Sequence, residues 1–154
     1  MKNRRAAGLA IRKGAARPDI STVESFKRTL LNASSITFGE QGGTGAYLKA
    51  VFLRLGIADA ITGKLRPLRL EQGPAEAVAA GEAEIGLTQI SEILPYAGAE
   101  LVGPRPSEVQ LTTTYVTAVG AGTPHAEAAA ELIKFITAPA VAPVLRAKGL
   151  APAG

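Results

Sequence analysis

The sequence contains no cysteine and only one histidine, and these absences exclude several kinds of site. Without cysteine the chain forms no disulfide and offers no thiolate to a metal. His125 is the single imidazole, and nothing in its spacing brings a serine and an acid to it, so neither a zinc site nor a Ser-His-Asp triad is expected. The acidic residues have the positions of solvated or capping groups rather than of an acid/base pair. We therefore predict a protein that is not an enzyme and holds no metal or cofactor.

Long hydrophobic runs are also missing. The apolar stretch at residues 6–11 follows basic residues, as in a secretion signal, but Arg12 and Lys13 end it too early. No run reaches the length of a membrane span, so we expect no signal peptide and no membrane insertion. The tyrosines are too scattered for a base-stacking platform, and nucleic-acid binding through the basic residues 1–7 is the least favoured alternative. With 47% hydrophobic and 19% charged residues, the chain is expected to be globular.

One central stretch joins an apolar strand at residues 35–38 to a helix through four glycines between positions 39 and 45. Glycines allow close backbone approach, and a strand entering a helix in this way presents N–H groups at the positive end of the helix dipole. This arrangement suits an anion. The stretch is not a P-loop, and Leu48 stands where a dinucleotide fingerprint has its third glycine. A tight turn that binds nothing has the same glycines, so both interpretations remain open here.

Strand-like and helix-like segments alternate along the rest of the chain. Strands are predicted at residues 8–12, 68–70, 85–89 and 109–119. Helices are predicted after a capping box at Ser21 and Glu24, from Pro74 to a stop at Gly81, from Thr123 and from Pro139. This order predicts an α/β fold with a mostly parallel sheet flanked by helices.

Ligands of such sheets bind at the carboxyl ends of strands, beside the starts of the following helices. Three of these positions offer neutral donors, which hold an ionised oxyanion without a titrating partner. The predicted ligand-binding residues are Gly43, Thr44, Gly45, Ala46, Gln72, Gly73, Gln89 and Ser91.

Several short motifs occur in a characteristic order. They are Arg-Lys-Gly-Ala at 12–15, Leu-Gly-Ile-Ala-Asp at 55–59, Gly-Glu-Ala-Glu-Ile-Gly at 81–86, Thr-Gln-Ile-Ser-Glu-Ile at 88–93 and Ala-Lys-Gly-Leu at 147–150. Together they resemble the ABC-transporter substrate-binding proteins of the molybdate type, in the type II periplasmic group. The resemblance covers residues 8–151.

The resemblance implies a lobe of the type II periplasmic-binding-protein kind that holds a small oxyanion such as molybdate. Backbone amides at Thr44 and Gly45, with a further one near Gln72 and Gly73, would contact it. An ABC permease is the implied partner, and the periplasm the implied location, although the absence of a signal peptide leaves the cytoplasm open. Gln89 stands where well-known molybdate binders have a tyrosine, which points to a different ligand.

The resemblance also implies a division of the chain into three parts. Residues 1–7 form a basic arm, 8–119 a ligand-binding lobe with hinge strands, and 120–154 the C-terminal helices. This corresponds to the second lobe plus C-terminal helices, with a first lobe expected before residue 8 and absent here. The C-terminal helices then carry an apolar stripe that folds back on the sheet or, as we expect, forms a homodimer. The alternative function is a ligand-sensing or self-associating module without transport.

Overall fold

The computed structural model describes residues 2–152 and divides the chain into two compact units. The larger unit is Ala6–Leu111, and the smaller one combines Met1–Arg5 with Thr112–Gly154. The first strand, β1 (Lys2–Arg12), contributes residues to both units. It starts well before Gly8, so residues 2–7, for which we expected a basic arm, continue this strand.

The larger unit alternates helices with short strands, as predicted. A strand expected at residues 68–70 does not form, because the pairing of this segment with β2 ends at the bridge of Leu65 with Ile36, before Pro67. Leu70 is 95% exposed and has no sheet face to join. The elements are α1 (Val23–Asn32), β2 (Ile36–Phe38), α2 (Gly42–Arg54), α3 (Ala58–Thr62), α4 (Pro74–Ala79), β3 (Ile85–Gln89), α5 (Ile90–Ile93) and β4 (Ala99–Pro104).

Helix α1 begins with a capping box one residue later than expected. The Thr22 hydroxyl accepts a hydrogen bond from the Ser25 backbone N–H at 3.1 Å, and Ser25 Oγ accepts one from the Thr22 N–H at 3.0 Å. The sequence predicted this box at Ser21 and Glu24. The serine side chain at the third helical position closes the box in place of the usual glutamate.

The sheet of the larger unit has the order β2-β3-β1-β4 and is mixed. Strands β2 and β3 are parallel, whereas β1 runs antiparallel to both β3 and β4. The predicted α/β class with flanking helices is confirmed. The sheet is not mostly parallel, because the alternation of strands and helices does not reveal the direction of β1. The register aligns Ile36 with Ile85 and Phe38 with Leu87 in the parallel pair, and Leu9 with Leu87 in the antiparallel pair.

Alternate residues of β1 pack on opposite faces of the sheet, and this places helices on both sides. Leu9 and Ile11 belong to the main hydrophobic core, whereas Ala10 packs in a smaller cluster with residues of α4 and α5. In the main core Phe38 and Phe52 meet edge to face at 5.6 Å between ring centroids. The main core is built by α1, α2, α3 and the strands, with Phe26, Leu30, Ile36, Leu48, Val51, Ile57, Ile61, Ile85 and Leu87 almost fully buried.

The smaller unit contains β5 (Thr112–Val116), α6 (Ala126–Thr137), α7 (Ala142–Ala147) and β6 (Leu150–Pro152). Strands β5 and β6 pair with β1. The long strand predicted at residues 109–119 is shorter, because a 3-10 turn occupies Ser107–Val109. Among the described residues no single helix is long and apolar enough to cross a bilayer. Only α6 together with Pro139–Ala147 reaches that length and composition, and this pair is bent by 51°.

Candidate anion site

The carboxyl ends of β2 and β3 lie side by side, because the two strands are parallel neighbours in register. Three residues separate the end of β2 from the start of helix α2, and the last of them, Gln41, is the N-cap residue of the helix. Helix α5 begins directly after β3, with Gln89 as its N-cap residue. The structure therefore places two of the predicted groups, Gly43 to Ala46 and Gln89 to Ser91, at the same edge of the sheet.

The first turn of α2 presents backbone N–H groups without a competing side chain. In the described chain no side chain caps this helix, and its first turn contains no acidic residue. Gly43 and Ala46 are exposed, Thr44 is half-buried and Gly45 is buried. A 13-residue helix adds its dipole to the unpaired amides, so this turn attracts negative charge.

Gly45 is glycine for a packing reason. A Cβ atom added there would lie 2.5 Å from the carbonyl carbon of Glu40 and closer still to the carbonyl oxygens of Gly39 and Glu40. The missing side chain lets the first turn of α2 rest on the turn that leads from β2. Gly43, by contrast, has no atom within 4 Å of an added Cβ and faces open space. The turn is thus held in place by one glycine and left accessible by the other.

Gln72 and Gly73 precede α4. The backbone N–H of Gln72 donates to the Arg69 carbonyl oxygen at 3.1 Å, which leaves Gly73 as the candidate backbone donor of this pair. Gly73 is the N-cap residue of α4, which has no side-chain cap within the described residues. The Gln72 side chain is already used, since its Nε2 donates to Glu82 at 2.8 Å and its Oε1 accepts from the Arg69 N–H at 3.0 Å. Its amide is therefore committed to its own loop. Gln72 also lines a cavity of about 690 Å³ together with Phe38, Gly39, Glu40, Gln41, Lys49 and residues 67–71.

Gln89 and Ser91 sit where β3 passes into α5. Gln89 is only 5% exposed. Ser91 Oγ is covered and has no hydrogen-bond partner among residues 2–152. A buried hydroxyl without a partner is costly, so Ser91 offers an unused donor at this edge.

A second cavity, of about 540 Å³, lies at the opposite end of the strands. Its lining includes Ser35 and Glu84, which directly precede β2 and β3, and Arg12 at the end of β1. None of the predicted ligand-binding residues lines this cavity. We therefore take the edge beside α2, where the predicted residues lie, as the candidate site.

Arg105 is a residue that the sequence did not single out. It follows β4 and is only 3% exposed, yet its Nε, Nη1 and Nη2 atoms have no hydrogen-bond partner in the described part of the chain. Its guanidinium carbon lies 5.7 Å from the centre of the Tyr47 ring, and Tyr47 is a residue of α2. Burial lowers the pKa of Arg105 to about 10, so the group stays charged at neutral pH. Arg105 lies between Pro104 and Pro106, and nothing in this local sequence indicates its burial, because arginines are ordinarily exposed.

The fold agrees with the family that the sequence matches. Residues 3–151 match the family described as bacterial extracellular solute-binding protein. The match spans nearly the whole chain, and the protein therefore belongs to this family.

Individual relatives extend this finding. The chain is 34% identical over 145 residues to aconitate isomerase from Pseudomonas sp., covering 94% of this chain and 55% of that protein. Its fold is similar to the substrate binding domain assigned to a molybdenum ABC transporter from Clostridium difficile, with a TM-score of 0.75, 15% identity and coverage of 98% and 65%. It is also similar to the Azotobacter vinelandii periplasmic molybdate-binding protein, with a TM-score of 0.64, 16% identity and coverage of 98% and 68%.

These comparisons confirm the expected solute-binding-protein fold. At 15% and 16% identity the two structures support the fold and carry no ligand assignment. The chain spans only about half of the aconitate isomerase and two thirds of the structural neighbours. The ligand, the transport role and the assembly of this protein are therefore matters of proposal.

Proposed function

We propose that the protein binds a small, fully ionised anion at the first turn of α2, as a solute-binding protein does. The observation that carries this proposal is the uncapped, acid-free start of α2, seated on the preceding turn by Gly45 and open at Gly43. Thr44, Gly73, Gln89 and Ser91 are proposed to complete the donor set, whereas the N–H of Ala46 lies beyond the four unpaired amides of the helix start and is used within the helix. Gln72 is left out of the donor set, because its side chain is engaged with Glu82 and its backbone N–H donates to the Arg69 carbonyl oxygen at 3.1 Å.

Two ligand classes share this chemistry. Molybdate is suggested by the names of the structural neighbours, and a carboxylate by the relative that acts on aconitate. Each charge-assisted hydrogen bond contributes about 1.5–3 kcal/mol, so two or three amides on an open turn give a dissociation constant on the order of a millimolar. Titrations with molybdate and with trans-aconitate at millimolar concentration distinguish the two classes.

The matched pair Gly43→Asp and Gly43→Asn tests the location. Both side chains fit, because nothing lies within 4 Å of a Cβ at this position. Aspartate puts a negative charge where the anion binds, and repulsion of about 1 kcal/mol or more weakens binding at least about fivefold. Asparagine has nearly the same size without the charge, and we expect it to bind close to wild type. Equal affinities of the two variants would place the anion elsewhere.

Delivery of the bound anion to an ABC permease, in the periplasm, is the role proposed for the intact protein. The family description, an extracellular solute-binding protein, supports it. The alternative role is a ligand-sensing or self-associating module. Binding that strengthens when the purified permease is present supports transport, whereas a ligand-induced change in association state supports the module.

A homodimer through the C-terminal helices is proposed as well. Leu132 of α6 and Val144 of α7, two members of the apolar stripe expected from the sequence, are 60% and 58% exposed, and Phe135 of α6 beside them is 71% exposed. Burying such side chains stabilises an assembly by roughly 1.5–3 kcal/mol each. A second copy of the same helices offers an apolar face of the same kind.

Isomerisation of a small polycarboxylate is the second candidate function, favoured by the 34% identity to aconitate isomerase. We place it behind binding because the residues at α2 are neutral donors and none of them transfers a proton readily. Incubation with trans-aconitate followed by proton NMR decides between the two. Appearance of cis-aconitate would replace the binding proposal with an enzymatic one.

A further inference from the structure

Arg105 carries a buried positive charge that the described protein does not neutralise. Its side chain is 3% exposed, and none of its three guanidinium nitrogens has a hydrogen-bond partner within residues 2–152. An unpaired buried charge is unfavourable, and proteins normally pair or hydrogen-bond such a group. The Tyr47 ring at 5.7 Å offers a cation–π contact, which replaces neither a carboxylate nor a carbonyl acceptor. An anionic partner from outside the described chain would satisfy it.

The position of Arg105 links it to the start of α2. Tyr47 follows Gly43 by four residues and Thr44 by three, so the three residues share one face of the helix. Helical side chains lean toward the N-terminus, which brings the Tyr47 ring over the first turn. Arg105 also follows the carboxyl end of β4, which lies at the same sheet edge as the carboxyl ends of β2 and β3, because β1 runs antiparallel to both β3 and β4. A guanidinium and the positive end of a helix dipole then act on one region.

The backbone of Arg105 is held from both sides. Its N–H donates to the carbonyl oxygen of Ala7 at 3.2 Å, and its carbonyl accepts from Gln110 Nε2 at 3.3 Å. The Tyr47 hydroxyl donates to the Gln110 carbonyl oxygen at 3.0 Å and so fixes the ring as well. This framework presents a guanidinium whose planar donors match a carboxylate. The guanidinium nitrogens are covered in this structure, so a ligand reaches them only after a local rearrangement of the residues around Arg105.

We infer that Arg105 is a second anion-binding residue of this site and selects polycarboxylates, one carboxylate binding at the first turn of α2 and another at the guanidinium. The inference rests on the proposed function and adds its substrate class. A monocarboxylate reaches only one of the two positions, whereas a di- or tricarboxylate spans both.

Titration of tricarballylate and of acetate into the wild type, Arg105→Met and Arg105→Lys, followed by NMR, tests the inference. We expect the wild type to bind tricarballylate at least about tenfold more tightly than acetate. Arg105→Met should lose most of this preference. Arg105→Lys keeps the positive charge but lacks the planar pair of guanidinium donors, so its preference for tricarballylate should lie between those of the wild type and Arg105→Met. Arg28→Met is the control for net charge, because Arg28 is exposed on α1. It should behave as the wild type.

The stability of Arg105→Met separates a ligand-binding role from a structural one. Removal of an unpaired buried charge should leave the unfolding midpoint unchanged or raise it. A lowered midpoint with an unchanged preference for tricarballylate would make Arg105 structural and overturn the inference, while leaving the proposed function intact. If the wild type binds neither acetate nor tricarballylate, the inference fails, while the proposed function then depends on the titration with molybdate. If Arg105→Met does not fold, the comparison of Arg105→Lys with wild type decides on the same criterion.

Discussion

Two glycines of α2 should respond to alanine in opposite directions. At Gly45 an added Cβ would collide with the backbone of Gly39 and Glu40, and it would lie 2.5 Å from the carbonyl carbon of Glu40. Backbone atoms cannot rotate away as the end of a side chain can. Overpacking of this kind costs about 1–3 kcal/mol, and the better helix propensity of alanine returns at most about 1 kcal/mol. Gly45→Ala should therefore be destabilised by about 1–2 kcal/mol.

Gly43→Ala is the matched control. The position is open and helical, so alanine should stabilise the protein by up to about 1 kcal/mol through propensity alone. Urea denaturation followed by circular dichroism should show midpoints on either side of wild type, separated by about 2 kcal/mol. Equal stability of the two variants would refute the close seating of α2 on its preceding turn.

Three further predictions concern other parts of the chain. Gly86→Ala should lower the unfolding free energy by about 1–3 kcal/mol, because its Cβ would lie 2.9 Å from the carbonyl oxygen of Pro74; an unchanged thermal midpoint would contradict this. The hydrogen bond from the Ser21 backbone N–H lowers the pKa of Asp19 below 3.8, so the ionised carboxylate stabilises the folded state at neutral pH. This stabilisation disappears as the pH falls below about 4. Asp19→Asn should therefore lose less unfolding free energy on acidification than the wild type, as measured by denaturation at several pH values. Leu132→Asp should convert the proposed dimer to a monomer in light scattering after size exclusion, and a monomeric wild type at tens of micromolar would dismiss the dimer.

Much of the fold follows from local patterns in the sequence. The helix starting at Pro74 and stopping at Gly81 was predicted, because a proline in the first turn and a glycine after the last turn are local signals of a helix start and end. In the structure Gly81 has a φ of 78°, as a glycine at such a position can. The direction of β1 was not predicted, since it depends on pairing with strands more than 70 residues away in the sequence. The strand predicted at 68–70 shows the same limit, because alternation alone does not supply a neighbouring strand.

The candidate site was predictable only in its backbone part. Glycines between a strand and a helix indicate an exposed helix start, and the structure has one at Gly43. The engagement of Gln72 by Glu82 and the burial of Arg105 are tertiary facts with no local signal. A loop arginine between prolines looks solvated in a sequence, and only the packing of Tyr47 from another element reveals otherwise.

The most direct test of the account is a nitrogen-15 NMR titration of the full chain with trans-aconitate and molybdate. We expect the amide resonances of Gly43, Thr44 and Gly45 to shift in proportion to each other, with a dissociation constant on the order of a millimolar. Gly43→Asp should suppress these shifts and Gly43→Asn should retain them. Saturable shifts confined to residues outside the edge beside α2, or none for either anion, would contradict it.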